Sequence, residues 1–319
     1  MSTLYLFGNG FDIAHGVKTP YSAFRDYLEE HHETFLRRFE EMYHILPLDD
    51  TEPWYTEEAQ QKWNKRVYKA LWENFEADIG NPDTDGMYDF AVSLTDGMPS
   101  EGVVDTLNDY WREEYGFSSN LQKYVLEWLQ NTIDTSKCCC RKKELINANS
   151  DYYINFNYTD TLERVYGIKS VLHIHGGVSS CSHIPPIMGH GNKFLIDSHR
   201  EKAQKYFEEN IEWAYAIHRA IANFAQSLYK DTDLIISRNE QFFSRLSDVE
   251  EIITLGLSFG DVDVPYLERI VHEINPQTKW RVYYYTPEDK ARLESVFGIL
   301  GIKRKFQVYF LHSDSFWDK

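Results

Sequence analysis

The sequence predicts an α/β fold in which a doubly wound, mostly parallel sheet carries large helical insertions. Short runs of apolar, β-branched and aromatic residues recur along the chain. Several of these runs, such as residues 252–257, lack polar alternation, as expected for strands buried on both faces. Stretches with helical spacing separate the runs, a pattern that places helices on both sides of a parallel sheet. A chain of 319 residues can bury such a core without disulfides.

Six strands are predicted, and several of them stop at Gly, Asn or His. They cover residues 4–7, 152–156, 171–174, 252–257, 281–285 and 307–311.

The strands are unevenly spaced, which predicts one domain over residues 1–319 with two helical insertions. The first insertion covers 21–146, between the first two core strands, and the second covers 177–233. Aromatic residues and leucines recur at helical steps in both, either as helix core or as a ligand surface. The predicted helices cover 21–46, 57–79, 103–132 and 201–229, and an exposed loop is predicted at 80–86.

Charge and composition exclude several classes of protein. The net charge of −17, from 50 acidic and 33 basic residues, repels phosphate backbones, so no direct nucleic-acid binding is expected. No apolar run is long enough for a membrane span, and residues 1–7 do not resemble a secretion signal. Of the four cysteines, three are consecutive (138–140), which provides neither a disulfide framework nor the spaced pairs of a zinc site. We therefore expect a cytoplasmic protein without a bound metal.

A glycine turn follows the first strand and is the strongest local motif. It runs from Gly8 through Asn9, Gly10 and Phe11 to Asp12. Glycines let the backbone approach a phosphate, and free N–H groups at a helix start attract anions. The usual dinucleotide motif would have a third glycine where this chain has Ile13. The turn therefore fits either a nucleotide site or a tight connection without a ligand.

Two polar residues follow the second and third strands. Asn157 falls at the carboxyl end of the second strand, where open sheets hold ligands. Thr159 or Asp160 would cap the next helix, with Glu163 closing a capping box. His175, beside the glycines after the third strand, can accept a proton near neutral pH.

The third strand also carries His173, predicted to lie on the same face as His175. The alternatives are two buried histidines with structural hydrogen bonds, or a metal pair completed by His183 or His190.

The fourth strand ends at Gly256 and Ser258, followed by Asp261, Asp263 and a predicted helix over 264–274. The serine and an acid can bind a phosphate and ribose hydroxyls. The same residues can equally serve only to form a turn and a helix cap.

The order of these four blocks resembles the sirtuin-like NAD-binding core. Within that superfamily, residues 8–16 together with 156–163 look like the AbiH family, named for abortive phage infection. The resemblance implies a Rossmann-like, sirtuin-like sheet. Two departures from sirtuins are Thr159, which stands where a sirtuin often has Asp, and the lack of a four-cysteine zinc module. Protein deacetylation is therefore not expected.

The resemblance also implies roles for the site residues. Asn157 would face the nicotinamide ribose, and His175 would act as the base or orient the attacking hydroxyl. Gly256 and Ser258 would lie on the adenosine side. NAD would bind the first turn, which consists of Gly8, Asn9, Gly10, Phe11 and Asp12. Its pyrophosphate would lie against the first four of these residues.

Three hypotheses follow. The first is an antiphage effector that binds NAD and hydrolyses its nicotinamide–ribose bond. The second is a non-catalytic nucleotide sensor whose insertions bind a phage trigger or a partner protein of a defence system. The third is a metal-dependent hydrolase that uses His173, His175 and His190. The sequence leaves open whether the chain forms a homo-oligomer.

Overall fold

The computed structural model describes residues 2–46, 48, 55–97, 100–114, 116, 120–142, 151–178 and 180–317. The chain forms two compact units. Unit 1 comprises Met1–Pro20, Val125–Ile187 and Asp231–Lys319, and unit 2 comprises Tyr21–Tyr124 and Met188–Lys230. Each segment of unit 2 lies within one of the two predicted insertions.

Unit 1 contains a six-stranded sheet in which all neighbouring strands run parallel. The strands are β1 Thr3–Phe7, β2 Tyr152–Asn155, β3 Leu172–His173, β4 Glu251–Leu255, β5 Lys279–Tyr284 and β6 Gln307–His312. Their order is β3-β2-β1-β4-β5-β6. The predicted α/β fold is confirmed, and every predicted strand boundary lies within about two residues of the observed one.

The α-helices of the described residues are numbered in chain order. They are α1 Asn9–Ala14, α2 Tyr21–His31, α3 Glu33–Glu41, α4 Glu57–Val67, α5 Phe75–Asp78, α6 Thr84–Thr95, α7 Ser100–Glu114, α8 Asn120–Thr132, α9 Thr161–Tyr166, α10 Lys193–Glu208, α11 Glu212–Ser227, α12 Thr232–Arg238, α13 Glu240–Phe243, α14 Val264–Glu273, α15 Pro287–Ile299, α16 Ile302–Lys305 and α17 Asp314–Trp317. Each of these helices is too short or too polar to cross a membrane.

The two faces of the sheet bury separate hydrophobic clusters. Leu4 and Leu6 point to the cluster that α14 and α15 cover, whereas Phe7, Tyr153 and Leu255 point to the cluster that includes residues of α1, α9 and α17. Successive side chains of a strand alternate between faces, so helices on both sides complete the two clusters. The sheet is therefore doubly wound.

The helices of unit 2 are shorter than the sequence predicted. Predicted helix 201–229 divides into α10 and α11 because Asn210 adopts φ +56°, which ends the first helix. Asparagine tolerates this left-handed conformation better than most residues. The exposed loop predicted at 80–86 is also partly wrong, because α6 begins at Thr84. Its cap, Asp83, accepts a hydrogen bond of 2.9 Å from the Gly86 backbone N–H.

The aromatic residues of unit 2 form its core. Phe24, Trp72 and Phe75 are fully buried, and the rings of Trp72 and Phe75 stack with centroids 4.5 Å apart. Arg25 and Glu40 are buried with them, joined by an ion pair of 2.7 Å. The aromatic spacing of the first insertion therefore produces helix packing in this unit.

Candidate functional site

The loops that follow β1, β2 and β4 meet at the carboxyl edge of the sheet in unit 1. The Gly8 and Gly10 N–H groups donate to the carbonyls of Leu255 and Gly256, at 3.1 and 3.0 Å. The Asn157 side-chain amide donates to the Gly8 carbonyl at 3.0 Å. Three of the four predicted blocks are thus in direct contact, and the β2 and β4 blocks lie more than a hundred residues after the β1 block.

Glycine is required on both sides of this contact. A Cβ on Gly8 would lie 2.5 Å from the Gly256 carbonyl oxygen, and one on Gly10 would lie 2.6 Å from the Gly256 Cα. Gly256 itself has φ +68°, and its Cβ would lie 2.5 Å from the Phe11 nitrogen. The close approach of two backbones accounts for these glycines without a ligand.

The rest of the first turn also forms internal contacts. Asn9 donates to the Thr19 carbonyl at 3.2 Å and accepts a hydrogen bond from the Thr19 hydroxyl. Phe11 is fully buried, with its ring centroid 4.3 Å from that of Phe7, and its N–H donates to the Gly8 carbonyl. Three of the four N–H groups predicted to face a pyrophosphate, those of Gly8, Gly10 and Phe11, therefore donate to backbone carbonyls.

Asp12 is fully buried behind this turn. The hydroxyls of Thr159 and Thr161 donate to its two carboxylate oxygens at 2.5 and 2.6 Å. Burial raises the pKa of Asp12 from 3.8 to about 6, and the two hydrogen bonds oppose that rise.

The capping box predicted for α9 is wrong. The helix begins at Thr161, and its N-cap residue, Asp160, makes no side-chain capping bond. Asp160 instead accepts hydrogen bonds from Thr135, Ser180 and Arg164. Burial raises its pKa, but these bonds outweigh burial and the net shift is downward. The Thr159 hydroxyl, which the sequence suggested for a cap, instead donates to the buried carboxylate of Asp12.

His173 and His175 do not share a face, contrary to the prediction. β3 ends at His173, and His175 lies in the turn that follows, so the alternation of a strand no longer applies. His173 Nε2 lies 2.7 Å from Glu163 Oε1 of α9. His175 Nε2 lies 3.9 Å from Asp263 Oδ1, and its ring meets Phe156 edge-on at 5.5 Å. The two imidazoles therefore have different partners.

His190, the third histidine of the predicted metal site, belongs to unit 2. Its Nε2 lies 2.9 Å from the Ala225 carbonyl, and its Nδ1 accepts from the Asn192 N–H at 3.1 Å. Burial lowers the pKa of His190 to about 4, so the ring is neutral near pH 7. Both ring nitrogens therefore have structural partners.

Ser258 lies at the open carboxyl edge beyond β4 and is exposed. The next residue, Phe259, adopts φ +53° and is buried with its ring 5.5 Å from that of Phe297. The buried Phe259 ring fixes the backbone next to Ser258. Because Ser258 is exposed, its hydroxyl is accessible to a ligand from solvent.

A pocket of about 230 Å³ lies beside β3 in unit 1. His173, Cys181, Ile184, Ile187 and Ile235 contribute to its lining, whereas the predicted nucleotide-binding residues do not.

Cys181 Sγ lies 3.8 Å from His173 Nδ1 and donates to the Val178 carbonyl at 3.3 Å. Burial, and then the charge of Glu163, raise the pKa of Cys181 to about 12. The sequence predicted Glu163 only as part of a helix cap, and Cys181, the one cysteine outside 138–140, has no cysteine at the spacing of a zinc site. Their proximity depends on how the loop after β3 folds back, so the sequence contained no local signal for it.

The strand order reverses between β1 and β4, which is where the glycine contact lies. This reversal and the parallel sheet define a Rossmann-like, doubly wound α/β protein. The chain matches the family described as bacteriophage abortive infection AbiH over residues 4–284, and it belongs to that family. Comparisons with curated proteins and with solved structures found no match. The AbiH resemblance is thereby confirmed and indicates an antiphage role in abortive infection, whereas the sirtuin relation stays a prediction.

Proposed function

We propose that this AbiH-family protein is a cytoplasmic abortive-infection effector that binds NAD at the carboxyl edge of unit 1 and hydrolyses its nicotinamide–ribose bond. One observation carries the nucleotide part. The strand order reverses between β1 and β4, and the loops after these two strands meet at this switch point. In open α/β sheets, ligands bind outside the carboxyl ends of the strands at such a switch point.

The side chains around this point suggest how NAD is held. Ser258 is exposed beyond β4 and offers a hydroxyl to a phosphate or ribose on the adenosine side. Asn9 is half-buried in the first turn, on the pyrophosphate side. Asp12 is fully enclosed by Thr159 and Thr161, so its role is to position the turn.

The proposed reaction consumes one water and yields nicotinamide, ADP-ribose and a proton. The bond between ribose C1′ and the nicotinamide nitrogen breaks, its electron pair leaves with nicotinamide, and the water oxygen bonds to C1′. His175, buried beside Asp263, takes the proton from that water. Asn157 acts as a positioning residue, because its amide fixes the Gly8 carbonyl.

A second candidate is nucleotide binding without turnover. The internal hydrogen bonds of Asn157 and of the first turn favour it, because these groups already have partners before any substrate arrives. In this version the nucleotide-bound protein senses infection, and its helices contact a phage trigger or a defence partner protein.

The test is calorimetry with NAD and ADP-ribose, combined with chromatographic measurement of nicotinamide release with and without extract of phage-infected cells. Ser258→Glu places a negative charge at the proposed phosphate side and should weaken NAD binding by about tenfold or more. The matched control is Ser247→Glu, which alters an exposed serine before the amino end of β4 and should bind like the parent.

His175→Asn should abolish nicotinamide release while NAD still binds. NAD binding without release under any condition would support the sensor. The absence of NAD and ADP-ribose binding, or equal loss in Ser258→Glu and Ser247→Glu, would contradict both candidates.

A further inference from the structure

Three side chains with different metal-binding chemistry meet where β3 ends. Glu163 comes from α9, His173 from β3 and Cys181 from the following loop. Glu163 Oε1 lies 2.7 Å from His173 Nε2, and Cys181 Sγ lies 3.8 Å from Nδ1 of the same ring. One donor atom from each of the three side chains lies within 4.8 Å of the other two.

The backbone holds Cys181 in this position. Gly177 N–H donates to the Ile184 carbonyl at 2.9 Å, and Ile187 N–H donates to the His175 carbonyl at 2.8 Å. Val178 N–H donates to the Tyr158 carbonyl at 2.8 Å, which ties the loop to the segment after β2. The thiol is therefore presented to His173 by a folded loop.

The surroundings of His173 match those of a metal ligand. Its Nδ1 lies 3.4 Å from the Asn157 carbonyl oxygen, so an Nδ1–H can donate there and leave Nε2 free to coordinate. A metal-bound histidine commonly donates its other ring N–H to such a carbonyl. The second carboxylate oxygen of Glu163, Oε2, is buried and accepts no hydrogen bond from any described residue.

The local charge favours a cation over a reactive thiolate. Glu163 carries a carboxylate beside the thiol, and Asp160 adds a second one that Arg164 partly compensates. A thiolate alone would add another negative charge to this corner, whereas a divalent ion neutralises the thiolate and Glu163 together. The pocket of about 230 Å³, which His173 and Cys181 line, leaves space for a water ligand.

We propose that Glu163, His173 and Cys181 bind one divalent transition-metal ion of the zinc class. His173 coordinates through Nε2, which Glu163 already contacts, and Glu163 coordinates through a carboxylate oxygen. Cys181, whose Sγ lies beside Nδ1, rotates about its Cα–Cβ bond to reach the ion as a thiolate. A water from the pocket occupies the fourth position. On binding, the thiol proton passes to solvent, and the Glu163–His173 hydrogen bond opens by about half an ångström to reach tetrahedral ligand spacing.

Metal binding can be tested with zinc and cobalt ions on chelator-treated protein without a histidine tag. Because the other three cysteines are consecutive, the background variant is Cys138→Ser, Cys139→Ser, Cys140→Ser, which retains Cys181 as its one thiol. This variant should bind one equivalent of Zn²⁺ in calorimetry. Its Co²⁺ form should show a thiolate-to-metal charge-transfer band and tetrahedral visible absorption.

Two further substitutions on that background identify the ligands. Cys181→Ser should remove the charge-transfer band and weaken Zn²⁺ binding by more than about tenfold, and Glu163→Gln should weaken binding while retaining the band. His272→Gln, at an exposed histidine of α14, is the control and should bind like the background. Far-ultraviolet circular dichroism identifies any variant that fails to fold.

The proposal is overturned if the folded background protein binds no stoichiometric Zn²⁺, or if Cys181→Ser binds it unchanged. It is also overturned if Cys181 is alkylated rapidly by iodoacetamide at neutral pH and Zn²⁺ gives no protection, because that result identifies a reactive thiol instead.

Discussion

Asp12→Asn should make the protein more stable near neutral pH by removing a buried charge. The carboxyl is fully buried, and burial raises its pKa from 3.8 to about 6. Between these two values the folded state holds a proton that the unfolded state has lost. Stability from this group is therefore fully present below the unfolded pKa and is lost as the pH rises through the folded pKa.

The size of the effect follows from the two pKa values. A rise from 3.8 to about 6 corresponds to about 3 kcal/mol between the protonated and ionised forms. An asparagine keeps the volume, and its amide can still contact the hydroxyls of Thr159 and Thr161. The difference in free energy of unfolding between Asp12→Asn and the parent should therefore increase by about 3 kcal/mol, in favour of the variant, between about pH 4 and about pH 7.

Urea unfolding followed by circular dichroism at several pH values measures this difference. The control is Asp134→Asn, at an exposed acid whose pKa the Ser136 hydroxyl and Lys137 lower to about 2. Asp134 titrates below about pH 4 in both the folded and the unfolded state. The difference in free energy of unfolding between Asp134→Asn and the parent should therefore stay constant over this range. If the Asp12→Asn difference were equally flat, or fell as the pH rose, the buried carboxyl would not be the source of the effect.

One further substitution tests the packing of each unit, and each has a matched control. Gly256→Ala forces a Cβ within 2.5 Å of the Phe11 nitrogen at φ +68°, so thermal unfolding should show a loss of several kcal/mol or no folded protein. Gly260→Ala enters open space and should stay within about 0.5 kcal/mol of the parent; equal losses in the two variants would refute the steric reason. Glu76→Ala leaves the fully buried Lys230 without its 2.7 Å partner and should cost about 3–5 kcal/mol in urea unfolding. Glu58→Ala, which removes an exposed ion pair, should cost less than about 1 kcal/mol, and a similar loss at both sites would contradict the burial argument.

The sheet could be predicted because its strands carry their own signal. β4 is buried along its whole length, and Ile252, Ile253 and Leu255 make it mainly apolar without strict alternation, which distinguishes it from a surface segment. Helix boundaries in unit 2 were harder to predict, because a single left-handed residue such as Asn210 ends a helix within a continuous apolar pattern.

The site was predictable only in part. The glycines at positions 8, 10 and 256 were identified, but their mutual contact is a tertiary property that no local spacing encodes. The Glu163–His173–Cys181 cluster was missed for the same reason, since hydrogen bonds of the loop after β3 bring the thiol back to the histidine.

The glycine contact between the β1 and β4 loops has a consequence for how this sequence can diverge. Each of the three positions is blocked by backbone atoms of the opposite loop, so moving a neighbouring side chain cannot relieve the clash. A substitution at any one of them would require both loops to change conformation together. Gly260, shortly after Gly256, can be substituted without such a change because a Cβ there enters open space. Lineages that retain this fold should therefore keep or lose the three glycines as a set.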